Sequence, residues 1–124
     1  LKQTLPKREI IRSKKTIDLV FKKGAAIEEK PVKLLFIYNE GEPSLEVGFT
    51  VPKKYFKKAC DRNLLRRRMK EAFRINKKNI VPFLEDKKIQ LKIFFIYTSF
   101  QPSDYKTIEH KIIVLLQRLT RVIQ

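Results

Sequence analysis

Residues 53–74 read KKYFKKACDRNLLRRRMKEAFR. The span 57–76 holds no Pro or Gly and is rich in Arg, Lys, Leu, Met and Ala, all good helix formers, so it predicts a helix. At about 100° per residue, Arg62, Asn63, Arg66, Arg67, Lys70 and Arg74 fall within about 140° of arc, and Leu65, Met69, Ala72 and Phe73 gather on the adjoining side. Runs of like charge often stay unstructured as solvated arms. A disordered arm has no reason to sort its residues in this way, whereas a helix with one side on a core and a cationic side in water does. Five of the six polar residues are cations, and Asn63 both donates and accepts hydrogen bonds, a mixture suited to phosphate oxygens and ribose hydroxyls.

Outward from this helix the charge falls away. Residues 53–78 carry twelve basic and two acidic side chains, against two and five in residues 25–52. The whole chain of 124 residues has a net charge of +16 with 43% hydrophobic residues, so a folded, strongly cationic single domain over 1–124 is expected. Such a field favours polyanions, nucleic acid first and anionic membrane second. One cysteine and one histidine, Cys60 and His110, exclude a disulfide framework or a Cys/His metal cluster within the chain. The longest clean apolar stretches, Ile93–Tyr97 and Ile112–Leu116, are far short of the roughly 20 residues of a membrane span. The opening residues Leu1–Pro6 lack the apolar run of a signal peptide, and the expected compartment is the cytoplasm.

Ser13 reads as the N-cap of a helix over 14–23 with Ile17, Val20 and Phe21 on one side and Gly24 as its stop. Val32–Tyr38 and Leu45–Val51, joined by the turn chemistry of Asn39–Ser44, predict a hairpin. Ile89–Ser99 reads as a further strand, and Gln101-Pro102-Ser103 as its end and the cap of a last helix. Tyr105, Ile108, Ile112, Leu115, Leu119 and Val122 form the stripe of that closing helix, over 104–123, with His110 off it. Fewer than three heptads fit, so the stripe is expected to pack on a core rather than in a coiled coil. The order suits an α+β sandwich with helices on a small mixed sheet. A helix-turn-helix is not expected, because a strand leads into the basic helix.

Preceded by Val47-Gly48-Phe49-Thr50-Val51, the basic stretch resembles the signature of the bacterial ribonuclease P protein family. That signature has a Val-Gly strand ending in paired lysines, then Ala, an Arg-Asn pair, a basic pair three residues on, and a Glu-x-x-aromatic/Arg ending. Val20-Phe21-Lys22-Lys23-Gly24 fits the aromatic-then-glycine ending of the family's first helix. Three places depart from the pattern: Phe56-Lys57-Lys58 replaces Gly-Asn with one extra residue, Leu64 stands where Arg is common, and Ile17 where a second Phe often stands.

The resemblance implies a two-layer sandwich, helix-strand-strand-strand-helix-strand-helix, with a small mixed sheet and a left-handed βαβ crossover. It also implies a partner, a large catalytic RNA that carries the chemistry, and a substrate, precursor tRNA, whose 5′ leader the protein helps to recognise. Lys53, Lys54, Lys57 and Lys58 with Arg62, Asn63, Arg66, Arg67, Lys70 and Arg74 would then dock on the catalytic RNA. Phe21, Phe49 and Thr50 would serve a leader-binding cleft, although strand alternation lets only one of Phe49 and Thr50 face it. Phe21 reads equally as a base-stacking ring or as a core aromatic of its helix. Mg²⁺ is expected for the assembled enzyme, held mainly by RNA, since no metal motif or acid/base constellation is legible in the chain. Neither a membrane nor an obligate protein partner is expected. The competing reading is a basic ribosomal protein, with the same size and charge but a permanent ribosomal RNA partner.

Overall fold

The computed structural model describes residues 9–11 and 13–123. Its elements in chain order are α1 (Lys14–Lys23), β1 (Ala25–Glu29), β2 (Val32–Glu40), β3 (Ser44–Thr50), α2 (Ala59–Asn76), a 3₁₀ turn (Lys77–Asn79), α3 (Val81–Lys87), β4 (Ile89–Tyr97) and α4 (Tyr105–Ile123). The Ser13 hydroxyl accepts from the Thr16 amide at 3.4 Å, as an N-cap should. Gly24 ends α1 by donating to Val20 O at 2.8 Å, and a Cβ there would lie 2.3 Å from that oxygen, so only glycine allows the tight exit into β1.

The hairpin expected from 32–38 and 45–51 does not form, because β4 inserts between its two strands in the order β1-β2-β4-β3. β2 pairs antiparallel with β1 and β4, and β3 runs parallel to β4. The physical reason lies in β4, which is buried on both faces, with Leu91, Ile93, Phe95 and Tyr97 on one and Phe94 on the other. A strand of that composition belongs in the middle of a sheet. The connection Gly41–Pro43 therefore spans the end of β4, and the Gly41 amide donates to Lys88 O at 2.9 Å.

β1 is the first of the three strands that the family resemblance implies, although its Ala-Ala-Ile-Glu-Glu, with only Ile27 buried, carries no strand signal of its own. Two further differences are local. The seven-residue α3 was not expected; Pro82 starts it, and Lys88 ends it with a left-handed φ of 58°. Asp104, not Ser103, caps α4, accepting from the Thr107 amide at 2.8 Å; that bond holds its carboxyl below its usual range.

The main core lies between the sheet and the pair α2 and α4, with Leu65, Met69 and Phe73 facing Ile108, Ile112 and Leu115 in one cluster. Val122, the last residue of the expected stripe, is exposed. A smaller cluster on the opposite sheet face joins Val20 of α1 to Leu35, Phe94 and Ile11. Ile11 reaches it because its amide donates to Val47 O at 2.9 Å, beside a parallel bridge of Ile10 to Val47.

Candidate nucleic-acid interface

The approach to α2 is shaped by apolar anchoring and by one arginine. The Phe56 ring packs 5.8 Å from that of Tyr97, fixing the segment before the helix to the sheet. From the first turn of α2, Arg62 Nη1 donates to Phe56 O at 2.9 Å and Lys57 O at 2.8 Å. With these backbones held inward, Lys53, Lys54, Lys57 and Lys58 all project into solvent. The helix starts at Ala59 rather than 57, so the last two lysines precede it.

Along α2, Leu65, Met69, Ala72 and Phe73 are buried and Asn63, Arg66, Arg67 and Lys70 are exposed, the two-sided arrangement expected from the helical projection. Two members of the expected cationic arc have other work. Arg62 clamps the preceding loop, and Arg74 forms a two-pronged pair with Glu71, its Nη2 donating at 3.0 Å. The hydrogen bond from Arg74 holds the Glu71 carboxyl below its usual range, so the carboxylate stays ionised and offsets part of the local charge. Arg67, Arg68, Lys70, Glu71 and Arg74 line a shallow hollow of about 340 Å³. Its cationic rim suits a phosphate, which arginine forks bind with two parallel hydrogen bonds.

Not every cation of the basic stretch faces water. Lys77 is only 8% exposed, and its ammonium donates to Glu9 Oε1 at 2.7 Å, pinning the segment before α1 beside the end of α2. Arg68 turns to the loop before α4 and donates to Ser103 O at 2.6 Å. A helical projection alone does not identify such inward cations, because their partners come from distant parts of the chain.

On the opposite sheet face, strand register sets two rows. Ala26, Leu35, Phe94 and Gly48 cross all four strands in one row, and Glu28, Lys33, Ile96 and Thr50 in the next. The first row lies under α1, and its Phe94 ring sits where a Cβ on Gly48 would be, 2.5 Å from Phe94 Cε2. Phe21 packs against Phe94 with ring centroids 5.1 Å apart, yet remains 48% exposed, so one side of its ring is open. Thr50 is on this face. Phe49 is not: it stacks on Phe95 at 5.6 Å and meets Phe73 edge-on at 6.1 Å, so it supports the main core and leaves the expected cleft. Lys33, in the second row of this face, is a further candidate beyond those expected from the sequence. Its signal was present in the sequence, a lone cation on alternate parity within an apolar strand.

Three residues beyond Thr50 the exposed lysines begin, so the cleft floor runs directly into the cationic approach to α2. Among the described residues no three His, Cys, Asp or Glu side chains converge as a metal-holding group requires. None of the described helices is long and apolar enough to cross a membrane.

The family model for ribonuclease P matches residues 5–120. A ribonuclease P protein component of Thermotoga sp. is 32% identical over 117 residues, covering 94% of this chain and 97% of that protein. One from Porphyromonas gingivalis is 28% identical over 107 residues, covering 85% and 78%. The solved RNase P protein of Thermotoga maritima superimposes with a TM-score of 0.69 at 31% identity, over 90% of this chain and 97% of that one. That of Staphylococcus aureus gives a TM-score of 0.73 at 19% identity, over 91% and 96%, a likeness of fold.

Proposed function

Because the chain belongs to the ribonuclease P protein family, we propose that it docks α2 and its preceding lysines on the catalytic RNA of ribonuclease P and offers the α1 cleft to the 5′ leader of precursor tRNA. The single observation that carries this reading is the two-sided α2. Its apolar side is seated in the main core while Asn63, Arg66, Arg67 and Lys70 stand free on the other. A ribosomal protein would share the charge, but the relatives are ribonuclease P components.

In this reading the RNA performs phosphodiester hydrolysis and holds the Mg²⁺ it needs, and the assembly works in the cytoplasm. The protein supplies charge neutralisation and position. Arg66, Arg67 and Lys70 offset phosphate repulsion at the docking face, each contact releasing condensed counterions. Phe21 offers its open side to a leader base, and Lys33, in the adjacent row of the same face, attracts the leader backbone. A competition assay tests the assignment. The protein should bind the catalytic RNA more tightly than a ribosomal RNA fragment of equal length; equal or reversed preference would return the chain to the ribosomal reading.

A further inference from the structure

Beside the docking lysines lies a groove of about 460 Å³ whose walls include Lys30, Tyr55, Thr98, Ser99 and Phe100. Phe100 is 66% exposed, more than any other large hydrophobic side chain among the described residues. Its loop is not loose. The Thr98 amide donates to Pro31 O at 2.8 Å, the Thr98 hydroxyl to Glu28 Oε2 at 2.9 Å, and the Tyr97 hydroxyl to Gln101 O at 2.6 Å. The Tyr55 ring meets Phe100 in a T-shaped contact at 4.8 Å, which covers at most one face of Phe100 and leaves the other for another ring, and Lys54 Nζ stands 5.0 Å from the Tyr55 centroid. No acidic residue lines the groove; exposed Lys30 lines it, and Lys54, also exposed, stands against the Tyr55 ring of its wall.

We infer that the Tyr55–Phe100 groove holds one unstacked nucleobase of the catalytic RNA, with its phosphates on Lys30 and Lys54. The inference rests on the docking reading above and adds a second kind of contact to it. A fixed, exposed ring inside a cationic border is the combination that binds single-stranded nucleic acid, since every base has a π-face to stack and a phosphate beside it. Thr98 and Ser99 line the groove wall, their hydroxyls held by the Glu28 carboxylate and the Gln101 amide. A membrane surface fits poorly, because one aromatic pair offers too little apolar area beside this much charge.

The test measures affinity of the full chain for the catalytic RNA of ribonuclease P, as a function of salt, in the wild type and four variants. Phe100→Ala and Phe100→Leu should each lose about 5- to 150-fold in affinity, the range for removing one base stack, with an unchanged salt slope. Phe100→Tyr, which keeps the ring, should bind as the wild type does. Lys54→Ala should instead flatten the log-log slope by about 0.7, as for one lost phosphate contact on a single strand. Melting curves confirm folding, and Phe100→Leu keeps most of the bulk if the alanine variant is unstable. Wild-type affinity in Phe100→Leu overturns the inference. A change in the protein's own oligomeric state on Phe100→Ala, with RNA affinity unchanged, would assign the groove to a second copy of the chain and also overturn it. Failure of the wild type itself to bind the catalytic RNA would refute the docking reading instead, so the two failures are distinct.

Discussion

Arg68 Nη1 donates to the carbonyl oxygen of Ser103 at 2.6 Å, tying the middle of α2 to the loop that precedes α4, 35 residues further along the chain. The same loop is braced from the sheet, where the Tyr97 hydroxyl lies 3.0 Å from Ser103 Oγ. One arginine in a run of three thus serves the fold, while Arg66 and Arg67 beside it remain exposed.

Arg68→Ala should therefore act on stability first. A part-buried hydrogen bond from a charged donor contributes about 1.5 to 3 kcal/mol, and its loss should appear as a lower melting temperature. RNA affinity measured below the transition should change less than in Arg66→Ala or Arg67→Ala. A melting temperature equal to the wild type's, with a full affinity loss, would place Arg68 on the RNA instead.

The exposed cations should behave in the opposite way. Arg66→Ala, Arg67→Ala and Lys70→Ala should each leave melting unchanged within about 0.5 kcal/mol of stability. Each should reduce the log-log salt slope of RNA binding by about 0.7 to 0.9 per phosphate contact removed. Arg62 should combine both effects, since it clamps two carbonyls; Arg62→Lys should not rescue it, because an ammonium lacks the planar fork. Identical losses at Arg62, Arg66, Arg67 and Arg68 would indicate a diffuse field rather than a docked face.

At the cleft, Phe21→Ala should weaken the assembled complex for leader-bearing precursor by up to about 1 to 3 kcal/mol and barely alter its affinity for mature tRNA. Truncating a fully buried Phe would cost about 3 to 5 kcal/mol of fold stability. The half-open ring packed on Phe94 predicts a smaller drop in melting temperature than that. Equal losses for precursor and mature tRNA would sink the stacking role.

Gly48→Ala tests the floor of the same cleft. The new methyl meets the Phe94 ring at 2.5 Å and must displace it, at about 1 to 3 kcal/mol for overpacking. Since Phe21 rests on Phe94, leader affinity should fall with stability; an alanine variant that melts and binds normally would show that the ring moves freely.

Stability should fall at both pH extremes for identifiable reasons. Burial pushes the Tyr97 phenol above its ordinary 10.0, against the smaller opposing effect of its bond with Ser103. The fold therefore favours the neutral phenol: its contribution is complete below pH 10.0 and is lost as pH rises through the raised value. Tyr97→Phe should melt lower near neutrality but decline less steeply in alkali. On the acid side, the Arg74 hydrogen bond lowers Glu71 from 4.5, so its contribution holds above that pH and disappears as pH falls through the lowered value. Glu71→Gln should flatten part of that acid limb in a melting series.

Much of this architecture is legible in the residues. The periodicities of α1, α2 and α4 and the apolar run of β4 are local signals, and each element lies within two residues of its expected bounds. Strand order is not a local signal. Asn39–Ser44 reverses the chain whether its flanking strands pair or admit a third between them, and only the two-sided burial of β4 decides the matter. The same limit applies to the site. Helical projection separates Arg66 and Arg67 from Leu65 and Met69, but the carbonyls that claim Arg62 and Arg68, and the carboxylate that claims Lys77, lie outside the helix. Phe49 and Thr50 had to await the sheet, because parity is meaningless until one face is known.

The proposed division of labour has this chain position RNA and leaves the cutting to the RNA. It is tested most directly by multiple-turnover cleavage of precursor tRNA at low Mg²⁺, with the catalytic RNA alone, the protein alone, and the two together. Rigorously RNA-free protein should give no cleavage, and the protein should markedly stimulate the RNA, less so when Arg66 and Arg67 are both replaced by alanine. Turnover by RNA-free protein that a single acidic substitution abolishes would contradict it.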